Sequence, residues 1–237
     1  MRYTYSLQFK TKTSDYILPV EPSILGYAFS NAEAAISESI RGDGMPHLDP
    51  LPGTAAELNS IDLYLGSKGS DTKLRYGTEA QLKQLRMDIK NNFDLIHLGL
   101  HANSTMDNRW NNQIFFANAS NDSLDVLYST ELEYFPLSES LVVLSACNTA
   151  TGTELEAEGI YSLARSCLIA GAEEVVASLW NISDQEASKV MINFYLNLSQ
   201  GNSASKSLHK AKLLYLNEVT NAQAAFPGYW AGLLSFH

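Results

Sequence analysis

Leu141-Val142-Val143-Leu144 has no polar face. A strand that alternates apolar and polar residues buries one side, whereas a strand apolar at every position is buried on both. Ile24-Leu25-Gly26-Tyr27-Ala28-Phe29 and the run from Val175 to Leu179 read the same way. Sheets covered on both faces are built from parallel strands joined by helical crossovers. Helix signals do fall between these runs. Thr54 is placed to cap a helix bearing Leu58, Ile61, Leu63 and Leu65 and stopped by Gly66. Thr78 is placed to cap another with Leu82, Leu85 and Ile89 inward. Residues 159–170, 184–198 and 203–219 read as further helices, with Gly171 and Gly201 after the first two. Residues 72–76, 94–100, 113–117 and 228–236 read as strands. The expected fold is α/β, a mostly parallel central sheet with helices on both faces.

The chain is expected to form one domain over residues 1–237. In residues 1–40, Tyr3, Tyr5, Leu7 and Phe9 alternate with polar neighbours, so N-terminal strands are expected there. Residues 41–53, with Pro46, Pro50, Pro52 and three glycines, form the clearest loop. The formal charge is −10 and the isoelectric point about 4.9, which argues against tracking nucleic-acid phosphates. No apolar run approaches the ~20 residues that span a bilayer. The start lacks the apolar stretch of a signal peptide, and two cysteines make no disulfide framework. A cytoplasmic setting is expected, with no membrane or nucleic-acid partner and no cofactor or metal.

In parallel sheets, functional groups gather past the carboxyl ends of the strands. The strand ending at Leu100 runs into His101-Ala102, and the strand ending at Leu144 runs into Ser145-Ala146-Cys147. Cys147 lies 46 residues after His101 (147 − 101), near the roughly 50-residue His-to-Cys spacing of caspases. A thiol nucleophile needs a nearby imidazole as base or ion-pair partner and as the acid for the leaving amine. Cys167 shares a helical face with Ile160, Leu163 and Ala164, and reads as core. His97 shares a face with His101 by strand alternation, and reads as a packed or hydrogen-bonded imidazole. Four strand residues span about 13 Å at ~3.3 Å each, so the two histidines do not share a metal.

Three blocks together are similar to the signature segments of CHAT domains. They are Phe93 to Ala102, Leu141 to Thr149, and Ala177-Ser178-Leu179-Trp180-Asn181-Ile182-Ser183-Asp184. Leu51 to Leu58 and Tyr229-Trp230-Ala231-Gly232-Leu233 resemble the family as well. CHAT domains are caspase-like modules, often linked to TPR repeats and related to separase, gingipains and metacaspases. The resemblance implies a caspase-like cysteine endopeptidase with Cys147 as nucleophile and His101 as proton donor to the leaving amine. It also implies an oxyanion site made by the backbone N–H groups of Cys147 and Ala102. The family usually has Gly at the latter position, so a methyl group here alters the pocket.

Asp184 stands in a segment similar to the separase stretch that meets a P1 arginine, which implies a substrate-binding (S1) acid and cleavage after Arg or Lys. Metacaspases carry an acid two residues before the cysteine, where this chain has Ser145. Ser183 and Asp184 are equally suited to cap the helix that starts there. Glu154, Glu156 and Glu158 follow the cysteine in an expected solvated loop that is able to draw basic substrate. The implied partners are a protein substrate with a basic P1 residue and a regulatory partner or TPR module that switches activity. The alternative is a catalytically silent CHAT scaffold. A flavodoxin-like ligand-binding domain lacks support, because no Gly-rich phosphate loop follows the first strand, and Gly42-Asp43-Gly44 is followed by Pro46.

Overall fold

The computed structural model describes residues 2–3, 16–29, 48, 50–66, 71–103, 112–118, 124–145 and 157–237. Most of the N-terminal alternation and of the 41–53 loop lies outside them. The strands are β1 (Arg2–Tyr3), β2 (Ile24–Ala28), β3 (Thr72–Tyr76), β4 (Leu95–Gly99), β5 (His101–Asn103), β6 (Gln113–Ala117), β7 (Leu124–Tyr128), β8 (Leu141–Leu144), β9 (Glu174–Ser178) and β10 (Leu233–Phe236). The helices are α1 (Pro52–Tyr64), α2 (Leu82–Asp88), α3 (Ser129–Leu132), α4 (Ala157–Ile169), α5 (Asp184–Leu198) and α6 (Ala204–Glu218). Among the described residues, no helix is long and apolar enough to cross a membrane.

Among the described residues, seven strands form the central sheet in the order β1-β10-β9-β8-β4-β2-β3. All neighbours are parallel except β10, which runs antiparallel to β9. The apolar run at 141–144 explains why β8 sits in the middle. Val142 and Leu144 join one core cluster, and Leu141 and Val143 the other. The first cluster takes Leu82 and Leu85 from α2, Leu163 and Cys167 from α4, and Ile114 and Phe116 from β6. The second takes Leu58 and Ile61 from α1, Val190 and Phe194 from α5, and Leu208 from α6. Each fully buried side chain of this kind contributes about 1.5–3 kcal/mol. A helix cap contributes about 1 kcal/mol, so burial against the sheet, not capping, holds these helices. The expected α/β architecture is therefore present. Cys167 is fully buried, and burial pushes its thiol up to about 12.

Several local details differ from expectation. Helix α1 starts at Pro52 after Leu51, not after Thr54, whose hydroxyl donates to the Leu51 carbonyl at 2.7 Å. Proline at the first helical position lacks only an N–H that would have no partner there. Leu63 is 66% exposed, because it lies 200° around the helix from Ile61, while Leu58 and Ile61 hold the inner face. Helix α2 starts after Gln81, since Thr78 is the middle residue of a 3₁₀ turn at Gly77–Glu79. The strand at 113–117 is not in the central sheet. It is the middle of a separate antiparallel sheet, β5-β6-β7, whose β7 was not anticipated, and the closing strand begins only at Leu233.

Candidate active site

Strands β4 and β8 are adjacent and parallel, with His97 opposite Val143 and Leu98 opposite Leu144. The Ser145 N–H donates to the Leu98 carbonyl at 3.1 Å, so the pairing runs one residue past β8. His101 lies three residues beyond Leu98. Cys147 lies three residues beyond Leu144, and falls outside the described residues together with Glu154 and Glu156. Glu158, expected in the same loop, belongs to α4.

The central strand ends at Gly99, and His101 opens β5, opposite Phe115 of β6. This break in the strand corrects the shared-face expectation. His97 points to the side of α1 and α5, whereas the His101 ring packs edge-on to Phe29 at 5.1 Å. Phe29 belongs to the opposite core cluster. His101 and Ala102 are both buried, and the Ala102 methyl joins that same cluster.

Asp184 is the first residue of α5, after the Ser183 N-cap. Its Oδ2 accepts the Gly53 N–H at 2.6 Å, at the start of α1. Burial and the Glu57 charge raise its carboxyl above the usual range, against the lowering effect of the Gly53 and Thr54 N–H groups. The approach is close enough to require glycine: a Cβ on Gly53 would stand 2.7 Å from the Asp184 backbone oxygen.

Beneath these groups lies a buried polar chain that the residue pattern did not single out. The Ser145 hydroxyl donates to Glu57 Oε1 at 3.0 Å. Glu57 Oε2 stands 3.1 Å from His97 Nε2, outside hydrogen-bond angle, and His97 Nδ1 lies 2.6 Å from the Tyr195 hydroxyl. Glu57, His97 and Tyr195 are fully buried. Burial, aided by the Glu57 charge, holds the Tyr195 phenol protonated well above its ordinary range. The signal for Glu57 was an acid at an inward helical position, one residue before Leu58. Among the described residues, no three His, Cys, Asp or Glu side chains converge to hold a metal ion.

Comparison with known proteins gives the same frame. A family model described as the CHAT domain matches residues 22–236. Over 110 residues the chain is 37% identical to tetratricopeptide repeat protein 28 of Mus musculus, a stretch that covers 45% of this chain and 4% of that protein. The fold is similar to a crystal structure of the Arg-specific cysteine proteinase gingipain R. That match has a TM-score of 0.53 and 9% identity, and covers 90% of this chain and 45% of the other. A complex of the pro- and mature domains of the Porphyromonas gingivalis proteinase gives a TM-score of 0.54 at 10% identity, covering 94% and 49%. The chain thus spans less than half the length of each of these proteins.

Proposed function

Because the chain belongs to the CHAT family, and has the fold of the gingipain cysteine proteinases, we propose that it is a cysteine endopeptidase with a Cys147–His101 dyad. The observation that carries this reading is the β4–β8 register, which pairs Leu98 with Leu144, the residues that stand three positions before His101 and Cys147 in the sequence. The Cys147 thiolate attacks the scissile carbonyl carbon, and the backbone N–H groups of Cys147 and Ala102 hold the oxyanion. His101 gives its proton to the leaving amine. It then takes a proton from the water that hydrolyses the thioester, which returns the thiolate.

Asp184 is the S1 acid for a P1 Arg or Lys. Its half-buried carboxylate, just past the β9 end of the sheet, supports this assignment. The likeness to a tetratricopeptide repeat protein supports switching by a partner or an attached repeat module.

The test uses a peptidyl-arginine chloromethyl ketone, with the labelled residue found by mass spectrometry. Labelling at Cys147 is expected, lost in Cys147→Ala and cut by several orders of magnitude in His101→Ala, while Cys167→Ala keeps it. A folded protein that never reacts at Cys147 overturns the reading, and leaves a CHAT-fold interaction scaffold.

A further inference from the structure

A fully buried carboxylate is costly unless it is paired and hydrogen-bonded. Glu57 is such a group. It comes from α1, yet touches side chains from two neighbouring strands of the central sheet: His97 of β4 and Ser145 just past β8. His97 Nε2 and Glu57 Oε2 approach to 3.1 Å as a close polar contact outside hydrogen-bond angle. His97 Nδ1 lies 2.6 Å from the Tyr195 hydroxyl, so the imidazole is held between Tyr195 and the Glu57 carboxylate. The carboxylate is thus clamped from one side and free to hold Ser145 on the other. Space around the clamp is closed: a Cβ on Gly99 would lie 2.8 Å from Thr54 Cβ and 3.0 Å from His97 Nε2. Asp184, which holds the N-terminus of the same helix, faces Glu57 as a like charge.

Ser145 is held twice, by its N–H to Leu98 and by its hydroxyl to Glu57. It is the last residue before the segment that contains Cys147. We propose that Glu57 is a positioning residue, fixing through the Ser145 hydroxyl the point at which β8 releases the chain toward Cys147. His97 and Tyr195 hold the Glu57 carboxylate for that task. The inference rests on the reading of Cys147 as nucleophile, and gives the buried chain a use beyond packing.

The experiment compares Glu57→Gln, Ser145→Ala and Ser145→Thr in the full chain. Ser140→Ala is the control, because it removes another buried hydroxyl bond (to the Phe93 carbonyl, 2.6 Å) at the opposite end of β8. The readout is the saturating rate of Cys147 modification by the peptidyl-arginine chloromethyl ketone, separated from its half-saturation concentration. Glu57→Gln and Ser145→Ala should lower the limiting rate by roughly 10- to 100-fold, the effect of a misplaced reacting group. Half-saturation should move less than about twofold. Ser145→Thr, which keeps the hydroxyl, should restore most of the rate. The Glu57→Gln/Ser145→Ala pair should be no slower than the slower single variant. Ser140→Ala should lose stability without losing rate.

Multiplying losses in the pair, or an equal rate loss in Ser140→Ala, overturns the proposal. If Cys147 of the parent protein is inert, the peptidase reading fails on its own, and amide hydrogen exchange decides the anchor. Faster exchange at residues 145–147 in Glu57→Gln and Ser145→Ala, but not in Ser140→Ala, supports it. Unchanged exchange overturns it.

Discussion

Replacing Asp184 by Asn separates two roles that one carboxylate is able to fill. In the structure Oδ2 accepts the Gly53 N–H at 2.6 Å, a charge-assisted bond that joins α5 to α1. Bonds to charged groups contribute about 1.5–3 kcal/mol and neutral ones about 0.5–1.5 kcal/mol. An Asn carbonyl keeps the acceptor and loses the charge, but it also removes the burial cost and the Glu57 repulsion that raise the Asp184 carboxyl, so stability should change by no more than about 1 kcal/mol. In a chain of this size that is a shift in Tm of no more than about 2–4 °C. The S1 role predicts a much larger effect on a different readout. Truncating one partner of a desolvated charge pair costs about 2–5 kcal/mol. At ~1.4 kcal/mol per factor of ten, kcat/KM for P1 Arg should fall by roughly 30-fold to several thousand-fold. Matched peptides with P1 Arg, Lys, Gln and Asp give the ratio directly. The Arg-to-Gln preference should collapse while thermal melting moves only slightly. An unchanged Arg-to-Gln ratio in the folded variant refutes the S1 assignment and leaves Asp184 as a tie between helices.

Two further outcomes test the packing around this region. Gly53→Ala sets a methyl group 2.7 Å from the Asp184 backbone oxygen; overpacking of this kind costs about 1–3 kcal/mol, so thermal melting should show a loss larger than for Asp184→Asn. Lys212 is mostly buried, with its ammonium directed at the Ala231 carbonyl, and burial pulls its pKa down to about 8. The folded state therefore binds this proton more weakly than the unfolded chain does, and stability rises with pH between about 8 and the unfolded value. Lys212→Met should be more stable than the parent at pH 7, and melting curves should show that advantage shrinking as pH rises through 8; a constant advantage would count against the burial argument.

The central strands were readable because burial on both faces leaves no room for polar residues, as in Leu141–Leu144. Helix α5 was readable at both bounds, because Ser183 is followed by a long amphipathic run. The small β5-β6-β7 sheet was not. Its strands are short, its partners are local, and His101-Ala102-Asn103 has no alternation by which to read it. Periodicity also carried through Leu100 where the strand in fact stops, which put His101 on the wrong side relative to His97. Glu57 escaped for a related reason: counting apolar positions on α1 finds Leu58 and Ile61 and passes over a charged neighbour that points the same way. The His97–Glu57–Ser145 contacts join residues 40 and more apart in sequence, and only the paired strands bring them together. His101 and Ala102 were legible as strand-end residues, while Cys147 remains a position read from sequence.

Cys167 supplies an internal clock for all of these variants. Its thiol is sealed between α4 and the sheet, so an alkylating reagent reaches it only when that contact opens. When closing outpaces modification, the labelling rate equals the intrinsic thiol rate multiplied by the fraction of time the contact is open. One mass spectrum of a labelled variant thus reports two events on one chain. Modification at Cys147 follows the chemistry, and modification at Cys167 follows the opening of the core. A substitution that slows the first while leaving the second unchanged has altered the site without loosening the protein around it.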